Sequence, residues 1–308
     1  MDISVVIPLY NKAPHIQRAL DSIFNQTYPP KEIVIVDDGS TDGSGEIVKS
    51  LSDARIKLLW EENSGTSTAR NLGICETSSN FIALLDADDE WTPRHLQDIA
   101  LLIEEYPGCG AYATAYVREA GSEKIWRPKP RKDFPVGWKG LLDLDKYLDL
   151  NATVNTFLPS SICISKQVFD KVGRFDIKVG RGQDLDMWLR ILLVSNIAFI
   201  NQPSMLYHVD AVNRSALNFK PLLGIPLERM ENLLADTTIP SKTRQLLYEF
   251  YCNLLLIKCW EALRKGYRDF SMECLKKSSR TRKFRLRWLK WYFLTILPVR
   301  LSSLYFNR

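Results

Sequence analysis

The sequence lacks paired cysteines. Its six cysteines form no Cys-x-x-Cys pair, and none is spaced for metal binding with any of the three histidines. We therefore expect neither a structural zinc site nor a redox motif. The first residues also lack the basic segment and the small-residue cleavage site of a signal peptide. Together these absences predict a reduced compartment, the cytoplasm.

The sequence also lacks an apolar run long enough to span a membrane. The longest such run in the C-terminal segment, at 291–299, is far shorter than the roughly 20 residues that a spanning helix needs. The composition is 45% hydrophobic and 25% charged, which excludes a disordered or collagen-like chain. A length of 308 residues allows about two domains.

Acidic residues are missing from the C-terminal segment. Ten of the 41 lysines and arginines lie after Cys274, and no aspartate or glutamate does. The other 31 basic residues are outnumbered by the 36 acidic ones, so the sequence describes an acidic body with a basic tail. An acidic body without a nucleic-acid-binding motif predicts no nucleic-acid partner.

The first third of the chain alternates short apolar runs with helical patterns. This alternation predicts βαβ units and a parallel sheet covered on both faces. The expected strands lie at 3–9, 32–36, 56–60 and 81–85, with helices at 14–26, 42–51 and 67–75. Further along we expect a hairpin at 111–126, an irregular loop at 127–138, a strand at 160–165, and helices at 166–172, 185–194 and 243–265.

Two acidic clusters follow expected strands. Asp37 and Asp38 come directly after the second strand, and Asp86, Asp88 and Asp89 come after the fourth. The carboxyl ends of parallel strands share one edge, where ligands bind, so both clusters should open on the same rim. The first cluster is also compatible with a turn and a helix cap. The carboxylates of the second cluster repel one another unless a cation or strong hydrogen-bond donors neutralise them, and oxygen ligands of this kind suit Mg²⁺ or Mn²⁺.

Six segments carry a family resemblance in order along the chain. Residues 5–11, 32–42, 63–73, 84–89, 172–176 and 182–190 resemble the motifs of glycosyltransferase family 2, over about residues 1–210. The resemblance implies an α/β GT-A fold, in which a Rossmann-like mixed, mostly parallel sheet is flanked by helices. A helical C-terminal extension follows. We expect a catalytic domain at 1–215 (nucleotide-sugar binding at 1–110, acceptor binding at 111–215), a helical region at 216–275 and a basic amphipathic tail at 276–308.

The resemblance also implies roles for single residues. Asp38 matches the carboxylate that contacts the nucleotide base, Asp88 matches the metal ligand of the DxD motif, and Asp184 matches the catalytic base of inverting members. The expected cofactor is Mn²⁺ or Mg²⁺, and Asp86, His208 or Asp210 are further candidate ligands. The expected donor-binding residues are Pro8, Tyr10, Asp37, Asp38, Gly65, Arg70, Asp86 and Asp88.

Two positions depart from the family pattern. Gln183 stands before the matched base, where the family commonly has glutamate, and this removes one negative charge beside Asp184. Where the family has the pattern Tyr-Arg-x-His, this chain has Tyr207-His208-Val209-Asp210. Asp210 therefore stands in place of the histidine, and His208 lies two residues before it. Either side chain, or neither, reaches the metal. His15 and His95 are expected on helix surfaces.

These features predict an inverting, metal-dependent glycosyltransferase. A metal can stabilise the leaving diphosphate, and a carboxylate on the opposite face of the sugar can take the proton of the attacking hydroxyl. The expected partners are a nucleotide-sugar donor and a hydroxyl acceptor on a lipid-linked or cell-surface glycan precursor. Two alternatives stay open: a non-catalytic nucleotide-sugar-binding protein, and a phosphatase or phosphotransferase with Asp86 as nucleophile.

The tail interleaves basic and apolar residues. Tryptophan, phenylalanine and leucine side chains alternate with arginine and lysine over 282–294. This composition is typical of a helix on an anionic membrane surface, which predicts peripheral attachment to the inner face of the membrane. The alternative is a terminal helix packed on the protein with a solvated basic face.

Overall fold

The computed structural model describes residues 1–120, 123–151, 155–212 and 221–297. The last basic residues of the tail, Arg300 and Arg308, therefore lie outside the described residues. The chain forms two compact units. The first comprises residues 1–147 and 154–214, and the second comprises residues 148–153 and 215–308.

The first unit contains a ten-stranded mixed sheet in the order β3-β2-β1-β4-β9-β6-β10-β5, with β7 paired to β6 and β8 to β10. The strands are β1 (Ile3–Leu9), β2 (Glu32–Asp37), β3 (Ile56–Trp60), β4 (Phe81–Leu84), β5 (Glu90–Trp91), β6 (Ala111–Ala120), β7 (Glu123–Arg127), β8 (Lys139–Leu142), β9 (Ile162–Ser165) and β10 (Ile197–His208).

The four expected N-terminal strands form one parallel block. β3, β2, β1 and β4 are parallel neighbours, whereas β9 pairs antiparallel with both β4 and β6. β6 and β10 are parallel, and β6 and β7 form the expected hairpin. A mixed sheet flanked by helices is the architecture that the predicted GT-A fold requires. The apolar residues of β1 and β2 are fully buried because helices cover both faces of the sheet.

The described helices follow from apolar periodicity. In α1, Pro14 occupies the first turn, where a missing N–H costs nothing, and the buried positions recur at helical spacing. The helices are α1 (Ala13–Phe24), α2 (Ser44–Lys49), α3 (Thr66–Glu76), α4 (His95–Glu105), α5 (Leu144–Asn151), α6 (Val168–Val172), α7 (Gln183–Leu192), α8 (Ile225–Ala235), α9 (Ser241–Arg264), α10 (Arg268–Lys277) and α11 (Arg285–Ile296), with a 3₁₀ turn at Pro159–Ser161.

Two features of the first unit differ from expectation. The strand β10 is not predicted from the sequence, because Asn201 and Pro203 interrupt its apolar run. The strand tolerates Pro203 at a shift in register. His95 was expected on a surface, and this prediction is wrong. Its ring is fully buried, stacks on Trp91, and its Nδ1 lies 2.8 Å from Ser204 Oγ. Burial lowers the pKa of His95 to about 3, so the ring is neutral.

The second unit is the predicted helical extension. α9 packs against α8, α10 and α11. On α11, Trp291 and Leu294 are buried, and Trp288 Nε1 donates a hydrogen bond to the Leu275 carbonyl at 2.9 Å. Leu286 and Phe293 of the same helix are exposed. None of the helices in the described ranges combines the length and apolar character that crossing a bilayer requires.

Candidate functional site

The candidate site lies at the carboxyl ends of β1, β2 and β4. Tyr10 follows β1 and is 41% exposed. Pro8 also lies on β1. Val6 is the last residue of β1 that pairs with β4, so the missing N–H of Pro8 interrupts no hydrogen bond between β1 and β4. Asp38 follows β2. The rim therefore combines one exposed aromatic ring with a group of buried or half-buried carboxylates.

Asp37 and Asp38 organise the loops of the rim. Asp37 accepts a hydrogen bond from Ser40 N at 2.9 Å. The carboxylate of Asp38 accepts one from Ser64 N at 2.7 Å and one from Gly65 N at 2.9 Å, and it thereby holds the loop before α3. Burial raises the pKa of Asp38, and these two hydrogen bonds act in the opposite direction. Both aspartates thus have structural partners in addition to any ligand.

Arg70 is a buried cation next to the DxD segment, which is Asp86-Ala87-Asp88. Its side chain is 3% exposed, and its Nη2 lies 2.5 Å from Asp86 Oδ1. The guanidinium also lies over the Phe175 ring, 5.5 Å from the centroid. Within the described ranges, nothing accepts a hydrogen bond from its Nε or Nη1. A buried donor without an acceptor is costly, so these two nitrogens identify a place where an anion would be stabilised.

Asp88 is paired with Lys12, which is not among the residues predicted for the site. Lys12 Nζ lies 2.7 Å from Asp88 Oδ2 and 2.6 Å from the Val212 carbonyl oxygen. Arg18 Nη2 donates to the main-chain oxygen of Asp88 at 2.7 Å. Lys12 follows β1 by three residues, so the strand-end rule that selected the aspartates also covers it.

Asp89 and Ser160 fix the DxD segment through hydrogen bonds of the Ser160 hydroxyl. Ser160 Oγ accepts a hydrogen bond from Asp86 N at 3.0 Å and donates one to Asp89 Oδ2. Burial raises the pKa of Asp89 well above its usual range, and the nearby charges of Asp88 and Asp86 act in the same direction. No local pattern in the sequence marks Ser160, since its partners lie more than 70 residues away.

Asp184 lies in the first turn of α7, within electrostatic range of Arg70 and Asp86. Burial raises the pKa of Asp184, the charge of Arg70 opposes this shift, and the charge of Asp86 adds to it. The segment before α7 is tied to α3 by the Asn71 side chain, which bonds both main-chain groups of Phe175, at 2.8 and 3.0 Å. The fold thus brings the expected base and the DxD segment into one electrostatic environment.

The remaining candidate metal ligands lie in different surroundings. His208 Nε2 is 3.1 Å from Glu90 Oε2, and its Nδ1 is 3.7 Å from Glu119 Oε2. Asp210 is exposed, and its charge acts on His15. Across the part of the chain that the structure describes, no three His, Cys, Asp or Glu side chains form a group that could hold a metal ion. The carboxylates of the DxD segment suit an ion that also takes phosphate oxygens as ligands.

Comparisons with known proteins agree with this geometry. Residues 4–173 match the family model described as glycosyl transferase family 2. The chain is 32% identical over 252 residues to YwdF of Bacillus subtilis, an uncharacterised glycosyltransferase. This alignment covers 81% of this chain and 90% of YwdF. Glycosyltransferase GlyA of Streptococcus pneumoniae is 43% identical over 106 residues, and this match spans 34% of this chain but only 15% of GlyA.

Solved structures share the fold. S. aureus TarS 1–349, in complex with UDP-GlcNAc, matches 99% of this chain and 84% of its own, with a TM-score of 0.69 and 18% identity. The mannosyltransferase PcManGT of Pyrobaculum calidifontis, in complex with GDP-Man and Mn²⁺, matches 98% of this chain and 84% of its own, with a TM-score of 0.57 and 17% identity. The family model spans more than half of the chain, and on this ground the chain belongs to glycosyltransferase family 2.

Proposed function

We propose that the chain is an inverting, divalent-metal-dependent glycosyltransferase that moves a sugar from a nucleotide-sugar to a hydroxyl of a lipid-linked or cell-surface glycan precursor. The observation that carries the proposal is Arg70. Its buried guanidinium contacts Asp86, its charge acts on Asp184, and its Nε and Nη1 have no acceptor among the described residues. A diphosphate supplies the anionic oxygens that these groups lack.

Asp184 is the proposed general base. The acceptor hydroxyl attacks the anomeric carbon, its proton passes to the Asp184 carboxylate, and the bond from that carbon to the diphosphate oxygen breaks. Attack from the face opposite the leaving group inverts the anomeric configuration. Burial raises the pKa of Asp184, which brings it closer to neutrality and makes the carboxylate a stronger base. Arg70 stabilises the negative charge that develops on the diphosphate.

The proposed metal is Mn²⁺ or Mg²⁺, held by Asp88 with Asp86 beside it. A bound divalent ion supplies Lewis-acid stabilisation of the leaving diphosphate. The carboxylate chemistry of this segment suits such an ion, and the PcManGT complex contains Mn²⁺. Since TarS was solved with UDP-GlcNAc and PcManGT with GDP-Man, UDP- and GDP-sugars are the donors to test first.

The test of this proposal is an Asp184→Asn variant. The general base contributes about 10²- to 10⁴-fold to the rate, so transfer should fall by that factor while nucleotide-sugar binding is retained. Asp170→Asn is the matched control, because Asp170 is an exposed aspartate on α6 of the same unit. The anomeric configuration of the product, measured by NMR, tests inversion.

Other outcomes identify the alternatives. A wild-type chain that binds nucleotide-sugars but transfers nothing to any acceptor is a binding protein. Release of inorganic phosphate that is abolished by Asp86→Asn would identify a phosphatase with Asp86 as nucleophile. The contact between Asp86 and buried Arg70 argues against that second alternative, because the guanidinium occupies the carboxylate oxygen Oδ1 of Asp86 and makes Asp86 a weaker nucleophile.

We also propose that the chain is cytoplasmic and binds the inner face of the membrane through α11. Leu286 is 85% exposed and Phe293 57% exposed on this helix, whose opposite side is packed within the second unit. Basic residues beside them suit anionic lipid. In co-sedimentation with anionic vesicles, Phe293→Glu should reduce the bound fraction. Leu101→Glu, a change at a half-exposed leucine on α4, should not. Equal binding of both variants contradicts the proposal.

A further inference from the structure

Lys12 is held in place by the loop that follows β2 and by the first residue of α2. The main-chain N–H of Asn11 donates to Ser40 Oγ at 3.0 Å, and that of Lys12 donates to Ser44 Oγ at 2.9 Å. In return, the Asn11 side-chain oxygen accepts from Thr41 N at 2.8 Å. Asn11 has a φ of +51°, in the left-handed region that asparagine tolerates better than most residues. The backbone that carries Lys12 is therefore fixed on the rim of the sheet.

The Lys12 ammonium bridges two parts of the first unit that are far apart in sequence. It lies 2.7 Å from Asp88 Oδ2 and 2.6 Å from the Val212 carbonyl oxygen. The two charged side chains are largely buried, with 12% of Lys12 and 16% of Asp88 exposed. Water screens such a pair less than a surface pair, so the attraction is strong. The charge of the expected metal ligand is thus neutralised inside the protein.

A divalent cation and the Lys12 ammonium would compete for the same carboxylate. Two positive charges on one carboxylate repel each other, so the ammonium weakens cation binding at Asp88, and a cation bound there favours displacement of the ammonium. Asp86 is likewise engaged, by Arg70, at 2.5 Å. A nucleoside diphosphate changes this balance, because its oxygens give the cation new ligands and give the displaced ammonium a new partner.

We propose that Lys12 is a positioning residue. Its ammonium pairs with the Asp88 carboxylate and hinders a divalent cation from binding there until a nucleoside diphosphate is bound. Cation and nucleotide then bind cooperatively, and each raises the affinity for the other by the same factor. The inference rests on the proposed function, since it concerns the same donor site. It goes beyond that function by assigning the order and coupling of binding to one side chain.

The test is direct measurement of Mn²⁺ binding by electron paramagnetic resonance on the purified full chain. Lys12→Met removes the charge and keeps the length of the side chain. Without nucleotide, this variant should bind Mn²⁺ at least about tenfold more tightly than the wild type, because the competing charge is gone. Adding UDP or GDP should tighten Mn²⁺ binding strongly in the wild type and much less in the variant.

Two controls separate this effect from a structural disturbance. Lys12→Arg keeps the charge and should leave Mn²⁺ binding close to that of the wild type. Lys31→Met removes a lysine from an exposed pair with Asp2 and should change nothing. Lys12→Gln, together with far-UV circular dichroism of every variant, provides a second neutral substitution in case Lys12→Met does not fold.

Three results overturn the inference. The first is unchanged or weaker Mn²⁺ binding by the folded neutral variants without nucleotide. The second is an equal gain in Mn²⁺ affinity from Lys12→Arg. The third is an undiminished response to nucleotide in the neutral variants. Each of these leaves sugar transfer by the wild type untouched, whereas a wild type that neither binds nor turns over nucleotide-sugars overturns the proposed function itself.

Discussion

Replacing Arg70 with lysine tests the donor site most sharply at a single position. The guanidinium uses Nη2 for Asp86, and its Nε and Nη1 have no acceptor among the described residues. Lysine keeps the positive charge and can keep the pair with Asp86. It cannot reproduce the planar fork that offers two further donors to a diphosphate.

The expected loss of affinity follows from those two donors. A hydrogen bond to a charged group contributes about 1.5 to 3 kcal/mol, so losing one or both should weaken nucleotide binding by roughly 10- to 100-fold or more. The free energy of unfolding should change by less than about 1 kcal/mol, because the charge and the contact with Asp86 remain. Isothermal titration calorimetry with UDP and GDP measures the first quantity, and urea unfolding measures the second.

Arg55→Lys is the matched control for this experiment. Arg55 pairs with Asp53 in the same unit, and Nη2 lies 2.7 Å from Asp53 Oδ2. Arg55 precedes β3 and therefore lies at the opposite end of the strands from the rim. If Arg70→Lys binds nucleotide as tightly as the wild type, the unused N–H groups of Arg70 do not meet a phosphate and the reasoning is refuted.

Two further predictions concern stability. Ser160→Ala leaves the Asp86 N–H without a partner and takes one of the hydrogen bonds from the buried Asp89 side chain, so it should cost about 2 to 4 kcal/mol in urea unfolding. Ser50→Ala, at an exposed serine, should cost less than about 0.5 kcal/mol. Equal costs contradict the account. His95 has a folded pKa of about 3. Its contribution to stability is therefore full above its ordinary pKa of 6.5 and is lost as the pH falls through that value, by about 2 kcal/mol at pH 5. Urea unfolding at pH 5 and 7.5 should show that extra loss in the wild type and not in His95→Asn.

The sequence predicts the N-terminal half of the sheet because the signals there are local. Each strand of the parallel block is a short apolar run, and the aspartates that follow β2 and β4 mark the rim directly. The GT-A fold and the family follow from motifs within the same segments. The rule that ligands bind at strand ends then predicts, without knowledge of any contact, that both groups of aspartates lie on one edge of the sheet, and the parallel pairing of β1, β2 and β4 agrees.

The partners of the site residues are not local and could not be predicted. Lys12 and Asp88 are separated by 76 positions, and Ser160 and Asp89 by 71, so only the tertiary arrangement pairs them. His95 was misjudged for the same reason, since a polar residue on a helix is recognised as buried only when its partner is known, and Ser204 lies 109 positions away. The strand β10 could not be predicted because Pro203 interrupts its apolar run.

The central claim is that Arg70, the DxD segment and Asp184 surround one donor. A crystal structure of the wild-type chain with an intact nucleotide-sugar and Mn²⁺ tests it most directly. We predict a diphosphate oxygen within hydrogen-bond distance of Arg70 Nε or Nη1, and the anomeric carbon between the diphosphate and the Asp184 carboxylate. A nucleotide-sugar bound away from both side chains would contradict the account.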